Sequence, residues 1–378
     1  MTAPTASEGS RSESRDSLRI LYVDTEDVWR GGQEQLLGLM SGMRPMGHDV
    51  WLATPPGSPL GERAARNGVT VVPFLQRTEL SLLATLRLHR HLRVRRFDIV
   101  HFNTPKSILA GCLAARLAKV PIAVCSRRVN FPLRSRLSAA KYNLCLDRVF
   151  TVSVSIRNTL LAAGVREGLV EVVYEGVNLD WIDGLEPSRL TLDRTEPIIG
   201  TVAHLSPEKG HLALLEAARL LRDDGERFHL VLVGEGQLRP LLESKVTDYG
   251  LRERVTFTGF RNDSEALMKR FDVFCLPSLS EGLSSAILAA MASRLPVVST
   301  LVGGIPELVL DGATGFLVPP DQPGKLAEAL RRLLREGELR KSLGEAGRQR
   351  IEESFTLRRK LEATQLAYRG LLRRRTVR

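Results

Sequence analysis

Aromatic residues make up only 5% of this 378-residue chain, too few for the stacking platforms on which proteins hold single-stranded nucleic acid. The four cysteines, Cys112, Cys125, Cys145 and Cys275, lie far apart and form no CxxC pair. That spacing excludes a disulfide-dense scaffold and a structural zinc site, and it fits a reducing compartment. No run of about 18 uncharged apolar residues occurs, so no membrane-spanning helix is expected. The best stretch, Ser107 to Cys125, is broken by Arg116 and Lys119. The opening residues, MTAPTASEGSRSESRDS, lack the apolar centre of a signal peptide and read as a disordered leader over 1–17. Also missing are GxGxxG, GxxxxGKS/T and any Asp-x-Asp pair. Their absence disfavours a dinucleotide fingerprint and a P-loop, and leaves no obvious ligand pair for a metal-held diphosphate.

What is present is an apolar fraction of 43%, enough for real cores, in a length that favours two domains. Short β-branched runs alternate with helical patterns: LRILYVD (18–24), HDVWLAT (48–54), VTVVPF (69–74), FDIVHFN (97–103), PIAVCS (121–126), RVFTVS (148–153) and VEVVYE (170–175). After a pause at 193–197 a second series begins: PIIGTVAHL, FHLVLVG, RVTFTGF, DVFCLP, LPVVST and GFLV. Apolar strands alternating with helices imply parallel sheets covered on both faces. The fold class expected is therefore α/β, with two doubly wound domains facing across a cleft, over 18–192 and 193–355. A last helical segment, 356–378, is placed to pack back on the first domain. Ligands of such sheets bind beyond the carboxyl ends of the strands.

The net charge of +11 is unevenly placed. From Arg87 to Arg148 there are 14 Lys/Arg against Asp98 and Asp147, and from Arg358 to Arg378 eight against Glu362. Such patches attract anionic partners, or are an arginine-rich solvated face. With no helix-turn-helix, RNA-binding or zinc motif, a nucleic acid is not the expected partner.

Several short segments carry chemistry, each with a plainer reading beside it. Gly31-Gly32 follows the first strand and precedes a helix, where backbone N–H groups can meet a phosphate; a tight turn explains it equally. Lys209, in HLSPEKGH (204–211), is either a point charge for a diphosphate or a surface lysine. In LPSLSEGLSSAILAAMA (276–292), Ser284 or Ser285 caps a helix whose free N–H groups bear partial positive charge. Glu281 just before it either accepts hydrogen bonds from sugar hydroxyls or caps its own helix. GGIPELVLDGATGFLVPP (303–320) adds a second glycine pair. His101 and Asn103 end a strand and should face the cleft, unless His101 is a core histidine. The segment 133–145 sets Leu133, Leu137, Ala140 and Leu144 on one face with Arg134, Arg136 and Lys141 beside them, the pattern of an interfacial helix or of one facing the core.

Taken in order, PEKG, LVGEG, TGF, LPSLSEG, PVVST, GGIPELV and DGATGFLVPP resemble the family 4 glycosyltransferases of the GT-B fold, over about Arg19 to Leu372. The resemblance implies transfer of a sugar from a nucleotide sugar with retention of configuration. It also implies donor binding by the second domain and acceptor binding by the first. Carried over, Lys209 matches the diphosphate lysine and Glu281 the first carboxylate of the Glu-x7-Glu motif. Gly282, Leu283, Ser284 and Ser285 would meet the diphosphate or sugar. Gly31 and Gly32 would contact the donor from across the cleft, and Phe260 and Arg261 would lie near the base.

Three positions depart from the family pattern. His204 stands where an arginine is usual, Ala289 replaces the second glutamate, and the cleft histidine is replaced by Arg127 or Arg128. Lys209, Glu281, Arg128 and His204 are thus the expected catalytic set, with His101, Asn103 and Arg127 on the acceptor side. No metal or other cofactor is expected. The expected partners are a nucleotide sugar, a glycan or lipid-linked acceptor and an anionic membrane surface. The site of action is then cytoplasmic, peripheral on the inner face of the cytoplasmic membrane, in cell-envelope polysaccharide or lipopolysaccharide synthesis. A relative that binds nucleotide sugar or glycan without catalysis is the alternative that His204 and Ala289 raise.

Overall fold

The computed structural model describes residues 17–133, 136–189 and 196–376; the leader lies outside them. All thirteen strand segments read from the sequence form strands. The first sheet contains β1 (Arg19–Val23), β2 (Asp49–Thr54), β3 (Thr70–Pro73), β4 (Ile99–Phe102), β5 (Ile122–Arg127), β6 (Arg148–Thr151) and β7 (Val170–Val172). The second contains β8 (Ile198–Val202), β9 (His229–Val233), β10 (Val255–Gly259), β11 (Val273–Leu276), β12 (Val297–Thr300) and β13 (Gly315–Val318). Every pairing is parallel, in the orders β3-β2-β1-β4-β5-β6-β7 and β10-β9-β8-β11-β12-β13. β4, β5, β11 and β12 are buried along their whole length, as strands covered on both faces must be. The strand order reverses between β1 and β4 and between β8 and β11, and these switch points open the crevices where a ligand can enter.

Helices Leu82–Arg95, Ile108–Leu117 and Arg136–Cys145 cover one face of the first sheet around Val100, Cys112 and Tyr142. Gly31–Met43, Pro59–Arg66 and the last helix, Leu357–Thr376, cover the other around Tyr22, Met40 and Tyr368. The last helix docks there because Lys360, Thr364, Ala367, Tyr368 and Leu371 recur at helical spacing and are all buried. The first domain is thus completed by the carboxyl-terminal end of the chain.

The domain border lies earlier than the pause at 193–197 implied. Ile182, in the helix Leu179–Gly184, belongs to the core of the second domain, with Leu179 and Leu185 packed against it. The chain crosses near Gly176, and it recrosses beside that point: Val177 N–H donates to Phe355 O (3.0 Å) and Leu357 N–H to Val177 O (2.8 Å). A Cβ on Gly176 would overlap the Thr356 carbonyl oxygen, so the two crossings touch backbone to backbone. The pause at 193–197 only leads into β8.

The segment 133–145 also differs from expectation. Its helix turns Ala139 and Tyr142 inward and leaves Leu144 exposed, while Lys141 pairs with Glu79 at 2.8 Å. Arg134 lies outside the described residues. The core-facing reading accounts for this helix, whose Ala139 and Tyr142 belong to the core of the first sheet with Leu133 packed against it.

Gly176→Ala forces two backbone segments apart. It should lower unfolding free energy by about 1–3 kcal/mol in urea titration; an unchanged midpoint would mean the crossings part without cost.

Candidate active site between the two domains

The site is built at the carboxyl ends of the central strands. Asp24, fully buried after β1, accepts from the Glu26 N–H (2.9 Å), Gln33 Nε2 (3.3 Å) and Asn103 Nδ2. This ties the end of β1 to the end of β4 and fixes where the helix at Gly31 begins. A Cβ on Gly31 would meet the Ser285 hydroxyl, so this helix start lies in side-chain contact with the one at Ser285. Arg128 follows β5, with its Cδ 3.6 Å from where a Cβ on Gly32 would lie. Its guanidinium donates to Glu175 Oε1 (2.5 Å) and Asn103 Oδ1. Gly282 lies against the Arg128 carbonyl oxygen.

From the second domain, the short turn Pro207–Lys209 is held against the loop after β11 by Leu279 N–H donating to Glu208 O (2.8 Å). This brings Lys209 Nζ to Glu281 Oε2 at 2.6 Å, and Ser278 Oγ donates to the same oxygen at 3.1 Å. Ser284 is the cap of the helix Ser285–Ala292, accepting from Ile287 N–H (3.4 Å), which removes the reading of Glu281 as that cap. Glu307 of the second domain accepts from Val154 N–H (2.9 Å) and Ser155 N–H (3.0 Å) of the first, a carboxylate on a helix start that holds the domains together.

Behind Arg128 sits a charged group that sequence reasoning missed. Glu175 is buried and forms ion pairs with Arg128 and with Lys360 of the last helix. Lys360 Nζ also donates to Gln35 O (2.8 Å) and Gln35 Oε1 (3.0 Å). Burial by itself would raise the Glu175 carboxyl, but the Lys360 ammonium and the Arg128 guanidinium outweigh it and hold it below its usual range. An acid closing VEVVYEG and a lysine on the buried stripe of an arginine-rich helix were the only available signals.

The expected site residues separate into groups. Gly31, Gly32, Arg128, Gly282 and Ser285 meet at the domain contact, with Lys209 and Glu281 paired beside it and Leu283 buried in the core below. Asn103 reaches this cluster through Arg128. His204 is exposed on the loop after β8, and Phe260 is exposed beyond β10. Arg261 is engaged by Asp263 (2.7 Å) and Ser188 Oγ (3.0 Å).

His101 and Arg127 do not face the cleft. His101 is buried between Tyr368 Oη (2.6 Å) and Ser126 Oγ (2.7 Å), and burial holds its pKa well below the ordinary value. The last helix covers it, which the strand-end position could not reveal. Arg127 is buried too, donating to Tyr142 Oη (3.1 Å) and Phe131 O. A cavity of about 700 Å³ lined by Arg116, Lys119, Arg166 and Arg375 lies at the opposite end of the first sheet, away from this cluster.

The carboxyl-terminal half, residues 185–350, matches the model of glycosyl transferases group 1, and residues 29–181 match that of glycosyltransferase family 4. A UDP-Gal:alpha-D-GlcNAc-diphosphoundecaprenol alpha-1,3-galactosyltransferase of Escherichia coli is 30% identical over 69% of this chain and 73% of its own. The chain belongs to glycosyltransferase family 4. A 2-deoxystreptamine glucosyltransferase of Streptomyces kanamyceticus is 31% identical over 66% of this chain and 70% of its own. An alpha-D-kanosaminyltransferase of the same organism is 38% identical over a match spanning 39% of each chain. Among solved structures, Anabaena HepE, determined with UDP and glucose, superposes with a TM-score of 0.82 at 20% identity, covering 93% of this chain and 100% of its own. The GT-B fold read from the motifs is the fold observed, and this glycosyltransferase carries its charged cluster where the two sheets face each other.

Two stability measurements probe the cluster's surroundings. Lys360→Met strands the Glu175 carboxylate beside Arg128 alone, and should cost about 3–5 kcal/mol in chemical denaturation; a smaller loss on Lys360→Arg would show that charge, not shape, matters. His211, buried at the helix start next to Lys209, has neither ring nitrogen hydrogen-bonded among the described residues, and burial, aided by Lys209, lowers its pKa to about 4. As pH falls below about 6.5 the unfolded chain takes up a proton that the folded one refuses, so stability drops by about 2 kcal/mol at pH 5. His211→Leu should make the urea-midpoint profile between pH 7 and 5 shallower, leaving the slope contributed by buried His101, whose pKa is also held down; an identical slope in both proteins would refute this origin.

Proposed function

We propose that this glycosyltransferase moves a sugar from a nucleotide sugar, with retention of configuration, to a glycan or lipid-linked acceptor in cell-envelope polysaccharide or lipopolysaccharide synthesis. The observation that carries this reading is the Lys209–Glu281 pair beside the helix start at Ser284–Ser285, with Arg128 of the other domain in contact at Gly282, next to Glu281. A diphosphate entering there meets Lys209, and its charge competes with Glu281 for the ammonium. Lys209 then neutralises phosphate while Glu281, released, accepts hydrogen bonds from hydroxyls of the donor sugar. The bond from the anomeric carbon to the phosphate oxygen breaks as the bond to the acceptor oxygen forms on the same face. The acceptor's proton passes to the leaving phosphate, so no enzyme base is required. Lys209, Arg128 and the helix N–H groups stabilise the charge that develops, a contribution of several kcal/mol where donors are preorganised. UDP in the HepE structure and the diphosphoundecaprenol acceptor named for the E. coli relative support nucleotide-sugar donor and lipid-linked acceptor respectively.

We assign the chemistry to these residues without a metal ion, since the sequence offers no Asp-x-Asp pair for one. The place of action in this reading is the cytoplasmic side of the membrane, with the protein attached peripherally to an anionic surface. The basic excess over 87–148 supports this, and among the described residues no helix is long and apolar enough to cross a membrane.

A panel of sugar nucleotides should show one that raises the thermal midpoint, since a ligand of the folded state stabilises it. With that donor, Lys209→Ala and Glu281→Ala should each lower turnover at least about a hundredfold while the midpoint of the free protein holds. Near wild-type turnover in both variants would overturn the assignment. Turnover should persist in excess EDTA; full loss restored by magnesium or manganese would overturn the metal-free chemistry.

A further inference from the structure

One group of large exposed apolar side chains gathers at the carboxyl end of the first sheet, apart from Val94, Leu117 and Leu144 at its other end. Leu80 is 81% exposed and Leu82 72%, with Leu83, Leu86 and Phe131 each more than half exposed. They come from two separate segments, the end of the β3 connection with the first turns of the helix Leu82–Arg95, and the connection from β5 to the helix Arg136–Cys145. Three side chains, Gln76, Lys141 and Arg127, lace these segments into one surface. Gln76 Nε2 donates to Lys106 O (2.7 Å), which fastens the first connection to the loop after β4. Lys141 Nζ pairs with Glu79 Oε1 (2.8 Å) and reaches Pro105 O (3.4 Å), joining the second helix to both. Arg127, by donating to Phe131 O and Tyr142 Oη, sets Phe131 against the same helix. Scattered exposed leucines are ordinary, but a laced apolar cluster is a contact surface.

Charge decides what it contacts. Arg77, Arg87 and Arg90 accompany the leucines, and the acid between them, Glu79, is already neutralised by Lys141. A second copy meeting this patch across a two-fold axis would set arginines against arginines. An anionic bilayer meets both demands, taking the leucines into its interface and the guanidinium groups among its headgroups.

We infer that the rim formed by Leu80, Leu82, Leu83, Leu86 and Phe131, with Arg87 and Arg90, docks this protein on an anionic lipid surface. This rests on the peripheral attachment proposed above and moves the contact away from the face of 133–145. The rim lies at the end of the first sheet that bears Asn103 and Arg128, so docking brings the mouth of the cleft to the headgroup layer, where a lipid-linked acceptor presents its sugar.

The test is sedimentation of the full chain with vesicles of phosphatidylcholine, alone or with phosphatidylglycerol, at low and high salt. Binding should require phosphatidylglycerol and weaken with salt. The triple variant Leu80→Ser, Leu82→Ser, Leu83→Ser and the double variant Arg87→Glu, Arg90→Glu should each bind at least about tenfold more weakly. Arg373→Glu, Arg374→Glu on the last helix should bind as wild type. Thermal midpoints show that each variant is folded. Wild-type protein that ignores anionic vesicles overturns the attachment itself. Attachment that survives the leucine variant overturns only this surface. A solution mass that falls from dimer to monomer in the leucine variant would show self-association in its place. None of these outcomes touches the donor panel or the Lys209 and Glu281 variants, which test the transferase reading separately.

Discussion

A buried carboxylate between two cations organises this enzyme. Glu175 follows the first domain's last strand, Lys360 comes from the last helix, and Arg128 stands at the cleft. Breaking either pair leaves a charge in a place where water cannot replace its partner, and such a loss exceeds what most surface contacts supply. The last helix, the crossing at Gly176 and the cleft arginine are therefore mutually dependent. With two donors committed to Glu175 and Asn103, the guanidinium cannot swing freely, and it meets a ligand in a set orientation.

The second domain makes its half of the cleft by different means. Its cation and carboxylate are near neighbours in space because one backbone bond, Leu279 to Glu208, presses the Lys209 turn onto the loop after β11. A glycine sets the separation of the two halves: Gly282 admits the backbone carbonyl of Arg128. Preorganisation here comes from backbone contact on one side and from buried charge on the other.

Thirteen strands were legible because each is a short run of Val, Ile, Leu and Phe, a local signal that buried parallel strands cannot avoid. Lys209 and Glu281 were legible because the turns that carry them have distinctive residues. What sequence could not show was distance. Glu175 and Lys360 meet only after the chain has built a second domain and returned. His101 looked like a cleft residue for the same reason, since the tyrosine that covers it, Tyr368, lies on that returning helix. The border at 193–197 was misplaced because a polar pause marks a change of strand series, whereas the real crossing is marked by a single glycine pressed against distant backbone.

The return of the last helix gives the molecule a topology unlike its order in sequence. Its first domain is discontinuous, made of residues up to Gly176 together with Leu357–Thr376, and the second is an insertion within it. Exchange of donor-binding halves between related enzymes must therefore respect two junctions rather than one. A chimaera joined once at the pause would keep a foreign last helix over Tyr22, His101 and Glu175, whereas one that takes only 177–355 from its second parent would leave that buried face with the residues it evolved beside.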